Sequence, residues 1–117
     1  MDLSKTCKII KIYINEDAKY KGHTLYHQIV KKMSEIDMAG VTVTRGIEGY
    51  GHDRRIHNAN MLQVSLKLPV IIEIIDNIEK IKKAVPILNE MVTEGLMIMT
   101  DVNVVKYGDR FNELYDE

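Results

Sequence analysis

The side chains best equipped for chemistry crowd into one stretch, Arg45-Gly46-Ile47-Glu48-Gly49-Tyr50-Gly51-His52-Asp53-Arg54-Arg55-Ile56-His57. Arginine presents a planar fork of N–H donors that matches the paired oxygens of phosphate or carboxylate. Glycine lets the backbone approach a ligand closely or adopt positive φ. A loop that joins Arg54 and Arg55 to three glycines therefore suits a small anion or an acidic partner. Its glycine spacing is G-x-x-G-x-G, the reverse of the dinucleotide fingerprint, and it does not lie between a strand and a helix, so a Rossmann site is not indicated.

Other constellations are weaker. His23 and His27 lie four apart near a helix start and share a face, which supplies two metal ligands without the HExxH pattern. His52 and His57 with Asp53 form a second set, which needs a ligand from another subunit to make a firm site. Cys7 is the single cysteine; it forms no intrachain disulfide, suits a reducing compartment, and falls at the edge of an apolar strand where an inert thiol is expected. No serine stands in a nucleophile elbow and no GxxxxGK[ST] loop occurs, so no catalytic residues are assigned and a non-enzymatic role is expected. Glu73, inside a strongly apolar run, is expected to hold an ion pair.

The formal net charge of −1 over 117 residues gives no bias toward nucleic acid or an acidic membrane. No apolar run approaches the roughly 20 residues that span a bilayer, and the first eight residues do not read as a secretory signal. A cytoplasmic protein of one domain is expected, with residues 1–107 forming the domain and residues 108–117 an acidic tail, either frayed or docked.

Several elements must position the loop. Residues 7–14 alternate, with Ile10, Ile12 and Ile14 on one face and Ile9, Lys11 and Tyr13 on the other. Residues 15–22 read as a polar connection. Thr24 is an N-cap candidate for a helix to about residue 37, whose stripe is Leu25, Ile29, Met33 and Ile36, and Gly40 is expected to end it. Residues 41–47 alternate as a second strand. Residues 60–66 read as a further strand, and residues 68–76 are the most apolar stretch, with a bend or sheet edge expected at Pro69. Residues 77–92 carry apolar side chains at helical spacing, with a kink expected near residues 82–86 because Pro86 lacks an N–H. Residues 96–107 supply a last strand pair or one interrupted strand.

The order strand, helix, strand, loop, strand, helix, strand is the ferredoxin-like βαββαβ pattern of the α+β class, an antiparallel sheet with both helices on one face. The first and third strands are expected as parallel neighbours at the centre, with Ile9, Lys11 and Tyr13 beside Ile71, Glu73 and Ile75 on the uncovered face. That face predicts a homo-oligomer, with Lys11 and Glu73 paired across strands.

Lys19-Tyr20-Lys21-Gly22, Leu25-Tyr26, Ala39-Gly40-Val41-Thr42-Val43, Arg45-Gly46-Ile47-Glu48-Gly49-Tyr50-Gly51, Arg55-Ile56-His57, Leu68-Pro69-Val70-Ile71-Ile72-Glu73-Ile74, Asp76 and Val104-Val105-Lys106-Tyr107 carry a resemblance. With them the chain resembles the PII-like superfamily, and more closely its branch called domain of unknown function 190. The resemblance implies a homotrimer with sheets facing inward, and a T-loop after the second strand. It also implies that an adenine nucleotide (ATP, ADP or AMP) binds between subunits and that the loop signals to a protein target such as a membrane transporter. Gly49-Tyr50-Gly51 matches the start of the T-loop, and Lys106 matches a phosphate-reaching arginine of the last strand. The ligand set on this reading is Arg45, Gly46, Gly49, Tyr50, Gly51, Arg54, Arg55, His57 and Lys106. The segment Glu94-Gly95-Leu96-Met97-Ile98-Met99-Thr100 departs from the family's glycine- and lysine-rich phosphate loop, and the loop lacks the family's uridylylated tyrosine motif. A second family of this fold, the divalent-cation tolerance proteins, implies metal binding through the histidines.

Overall fold

A computed structural model of the protein describes residues 1–58 and 68–116. The strand read from residues 60–66 lies outside the described residues.

Strand β1 (Cys7–Asn15) buries Ile10, Ile12 and Ile14, as its alternation dictates. The polar connection after it folds into a small hairpin, β2 (Lys19–Tyr20) with β3 (His23–Thr24). Lys21 (φ 50°) and Gly22 (φ 82°) make its turn, and two positive φ values in a two-residue loop match the twist of the flanking strands. Helix α1 (Leu25–Glu35) follows Thr24 and buries Leu25, Ile29 and Met33.

Gly40 does not terminate α1. Asp37 takes the left-handed position at φ 64°, and the Met38 N–H donates to the Met33 carbonyl at 3.0 Å, which closes the helix in the manner of a Schellman motif. The Lys80 ammonium adds donors to the Ile36 and Asp37 carbonyls at 3.0 and 2.8 Å, a cation against the negative end of the helix dipole. Gly40 instead begins strand β4 (Gly40–Arg45), where a Cβ would stand 2.9 Å from Cγ2 of Ile75.

Beyond β4 the chain forms a short arm, β5 (Glu48–Gly49) paired with β6 (His57–Asn58). It re-enters the sheet as β7 (Pro69–Asn77), a central strand and not the edge or bend that Pro69 suggested. Proline is tolerated there because it is the first strand residue, where its missing donor interrupts no ladder. Asn77 ends β7 and caps helix α2 (Ile78–Met91), its side-chain oxygen accepting the Lys80 N–H at 3.0 Å. Pro86 lies inside α2, and the helix continues past it to Met91.

Strand β8 (Leu96–Val102) completes the sheet, and β9 (Lys106–Tyr107) turns through Gly108 (φ 62°) into β10 (Arg110–Phe111) and a single 3-10 turn, Glu113–Tyr115. The second half of that hairpin lies in the segment the sequence set apart as an acidic tail. Buried Asn112 docks it by donating to the Leu3 and Val104 carbonyls at 3.2 and 2.9 Å.

The four-stranded sheet runs β4-β7-β1-β8 and every neighbouring pair is antiparallel. The sequence reading placed the right two strands at the centre but made them parallel. The α1 crossover returns β4 parallel to β1 with a one-strand gap, and β7 fills the gap running opposite to both. Both helices cover one face, where the core comprises Ile10, Ile12, Ile29, Met33, Ile72, Ile74, Ile81 and Leu88, among others.

The other face carries three rows across the strands: Gly40-Ile75-Ile9-Thr100, Thr42-Glu73-Lys11-Ile98 and Thr44-Ile71-Tyr13-Leu96. The expected pair forms in the middle row, with Lys11 Nζ 3.9 Å from Glu73 Oε1. Ile9, Ile71, Ile75 and Ile98 flank that pair together with Tyr13; Ile98 is exposed and the other four are half-buried, on the face opposite the two helices.

Close packing at the α2–β8 junction gives a direct check. A Cβ on Gly95 would meet the Tyr13 carbonyl oxygen at 2.8 Å and Cγ2 of Ile14 at 2.9 Å, and a backbone oxygen cannot swing aside. Gly95→Ala is expected to destabilise the fold by about 1–3 kcal/mol in urea titration. Gly51→Ala, with nothing within 4 Å of its Cβ, is expected to stay within about 0.5 kcal/mol of the parent.

Candidate functional site

The arm is rooted on Pro69. The Gly46 N–H donates to the Pro69 carbonyl at 2.7 Å, and a Cβ on Gly46 or Gly49 would stand 2.8 or 3.2 Å from Pro69 Cγ. These two glycines thus serve close approach of the arm to β7, a structural use that the anion-loop reading did not separate from ligand contact. Gly51 has open space around it and is free of that constraint.

Arg45, the last residue of β4, is already engaged. Its Nε donates to Glu16 Oε1 at 3.0 Å and a terminal nitrogen donates to Oε2, a two-pronged pair with a carboxylate that is itself buried. Glu16 beside it holds the Arg45 guanidinium above its already high ordinary pKa, first through the hydrogen bond and then through charge.

At the tip, Tyr50, Gly51, Arg54 and Arg55 are exposed. The Arg54 guanidinium lies 5.8 Å from the Tyr50 ring centroid, and Arg54 takes φ 63° while its N–H donates to the Gly51 carbonyl at 2.9 Å. The Asp53 carboxylate accepts the Arg55 N–H at 3.1 Å, so it shapes the turn. Both arginine forks point to no carboxylate partner among the described residues. His57 pairs with Gly49 through the backbone of β6.

Lys106 is not brought to the arm. The Tyr107 hydroxyl donates to the Ala39 carbonyl at 2.6 Å, which fixes the β9–β10 hairpin beside the Gly40 end of β4. The arm leaves from the Arg45 end, roughly 17 Å away along an extended strand at about 3.4 Å per residue. Within one chain these two parts of the expected ligand set are separate.

The histidines are dispersed. His23 and His27 are both exposed, on β3 and α1. His52 Nε2 lies 2.6 Å from Glu94 Oε1, joining the arm to the turn after α2; with both side chains about 70 % exposed, this pair contributes little to stability. Among the described residues no three His, Cys, Asp or Glu side chains are grouped to hold a metal ion.

Two clefts lie elsewhere. One of about 160 Å³ is apolar, between β8 and α2, around Ile10, Val85, Leu88 and Met97. Another of about 410 Å³ lies between α1 and α2, where Lys21, Lys31 and Lys32 face Glu35 and Glu90. Neither includes an arm residue, and Arg54 and Arg55 are exposed among the described residues.

Sequence reasoning missed Glu16, Glu94 and the anvil role of Pro69. No local spacing connects residue 16 to 45 or 94 to 52; these contacts exist only once the sheet order is known.

Cys7 is buried, as the strand position implied, and burial pushes its thiol above the ordinary value of 9.0. The neutral thiol is the favoured folded form, so its contribution to stability is complete below pH about 9 and is lost as pH rises through the folded value. In the native state Cys7 is expected to react with a thiol reagent at least about tenfold more slowly than in urea at the same pH. Equal rates would contradict its burial.

No helix among the described residues is long and apolar enough to cross a membrane. The profile of the DUF190 family, "Uncharacterized ACR", matches residues 7–104. A UPF0166 protein of Methanocaldococcus jannaschii is 40 % identical over 100 residues, 85 % of this chain and 92 % of that protein. In fold, the chain is similar to CPII, a nitrogen regulatory PII-like protein of Thiomonas intermedia K12 whose structure holds ADP, AMP and bicarbonate. That likeness has a TM-score of 0.65 and 12 % identity, over 85 % of this chain and 88 % of CPII. It is also similar to the divalent ion tolerance protein CutA1 of Ehrlichia chaffeensis, with a TM-score of 0.60 and 13 % identity, over 87 % and 86 %. At such identities these two structures establish the shared fold and nothing finer. On the family profile and the 40 % identical relative, the chain belongs to the DUF190 (UPF0166) family, and its fold is PII-like.

Proposed function

We propose that this protein is a non-enzymatic, cytoplasmic PII-like regulator that works as a homotrimer. In this reading the open sheet faces of three copies cover one another, and a small anionic ligand, an adenine nucleotide, sits between copies. The arm at residues 46–58 contacts the ligand and reports its presence to a protein target such as a membrane transporter.

The observation that carries the reading is the placement of the cations. Arg54 and Arg55 are exposed on the arm, Lys106 is held at the far end of β4, and neither the β8–α2 cleft nor the α1–α2 cleft includes any of the three. A ligand that uses both must lie between the arm of one copy and the β9–β10 hairpin of another. CPII, which has this fold, binds ADP and AMP. The residues here fit a phosphate through arginine forks. They do not fit a glycine-rich phosphate cradle after α2, since that segment is strand β8 and Gly95 is packed against the Tyr13 carbonyl. AMP and ADP are therefore favoured over ATP. Ordering of the arm transmits a signal only if the ligand binds the ordered state more tightly.

Calorimetry of the assembled protein with AMP, ADP, ATP and cyclic AMP tests this. Binding of AMP or ADP is expected, weakened roughly 10- to 100-fold in Arg54→Ala or Arg55→Ala by loss of a charge-assisted hydrogen bond. Silence with all four nucleotides would remove the proposal.

The likeness to CutA1 supports a second reading, a divalent-metal-binding trimer using His52 and His57 or His23 and His27. Titration with zinc or copper ions separates the two: saturable binding abolished by His52→Ala or His23→Ala, with no nucleotide binding, would favour the metal.

A further inference from the structure

The chain leaves the sheet after Arg45 and re-enters it at Leu68 and Pro69, and one residue outside that excursion holds both ends. Glu16, in the turn between β1 and β2, donates its backbone N–H to the Leu68 carbonyl at 2.8 Å. Its carboxylate accepts the Arg45 fork, with Nε at 3.0 Å and the second prong alongside. The side chain of Glu16 is only 8 % exposed, whereas that of Arg45 is 58 % exposed. A buried carboxylate is tolerated when a geometrically matched cation satisfies it, and becomes a large liability when that cation is removed. The residue is thus committed to one partner, and that partner is the last strand residue before the arm.

We propose that Glu16 is the positioning residue of the arm: through Arg45 and Leu68 it fixes the neck from which residues 46–58 project. Gly46 continues the same neck, its N–H bound to the Pro69 carbonyl at 2.7 Å. Arg45, though part of the ligand set read from the sequence, then serves to orient the arm, and an incoming anion meets Arg54 and Arg55. An anion that took the same fork of Arg45, its Nε and one terminal nitrogen, would have to displace Glu16 and leave that carboxylate buried without its matched donors. The inference rests on the reading of the arm as the functional element, but its test does not require the ligand.

Hydrogen–deuterium exchange of the full chain, without nucleotide, provides that test, alongside thermal denaturation of Glu16→Gln, Arg45→Met and the double variant. In Glu16→Gln, amides of residues 46–58 are expected to exchange at least tenfold faster, while those of α1, α2 and β1 keep the parent rate. Arg45→Met is expected to lower Tm the most, because it strands the carboxylate. Adding Glu16→Gln to it is expected to recover Tm in part, the non-additivity of two groups that act as a unit. Should Glu16→Gln fail to fold, Arg45→Lys, which keeps the charge and loses the fork, supports the same comparison of arm and core exchange.

Unchanged exchange in the arm, or an equal rise across arm and core, would overturn the proposal, as would additive Tm losses in the double variant. Absence of nucleotide binding by the parent protein would remove the proposed function and leave this result standing.

Discussion

Ile12 and Ile72 stand opposite each other on the two central strands, fully buried beneath the helices, and the rest of the structure follows from the fact that this burial is one-sided. Side chains on a strand alternate, so each isoleucine sent to the core fixes a neighbour on the other face. With both helices on one side, Ile9, Tyr13, Ile71 and Ile75 go to the uncovered face together with the Lys11–Glu73 pair. Full burial of an exposed side chain of this kind contributes about 1.5–3 kcal/mol, and these are half-buried in the single chain, so covering the face would contribute a part of that for each. The ion pair, 3.9 Å apart and half exposed in one chain, then acts as a register mark within an apolar surface.

The same one-sidedness places the arm. Antiparallel order puts β4 at one edge and makes its Arg45 end adjacent to the start of β7, so the chain must leave and return at the same end of the sheet. Pro69 can begin β7 because a first strand residue needs no donor, and its ring then becomes the surface on which Gly46 and Gly49 rest. The Glu16–Arg45 pair closes the other side of this neck. Beyond it projects a short hairpin on which Arg54 and Arg55 are exposed, Arg54 lying against the Tyr50 ring. A binding site built from such a part requires a second surface.

Much of this was legible in the sequence, because strand alternation and helical stripes are local. The buried set Ile10, Ile12, Ile14, Leu25, Ile29 and Met33 follows from spacing alone, and so does the Lys11–Glu73 pair once β1 and β7 are made neighbours. Direction is not local: alternation reads the same for parallel and antiparallel pairs, so it carries no information on the antiparallel sense of the central pair. The helix stop was assigned to glycine on propensity, yet Asp37 can take positive φ at modest cost and Gly40 was needed for its lack of a side chain under Ile75. In the candidate site, the exposed Arg54 and Arg55 were readable from composition. Glu16 was not, since residues 16 and 45 are joined only by the folded topology, and Lys106 enters the expected set only through the resemblance.

The central claim is that the open face is covered by further copies of the same chain, since both the burial of that face and the completion of the site depend on it. Sedimentation equilibrium of the full chain at micromolar concentration measures this directly. The account predicts a mass about three times the 13.5 kDa of the chain. A stable species at the mass of one chain, with the fold intact by circular dichroism, would contradict it.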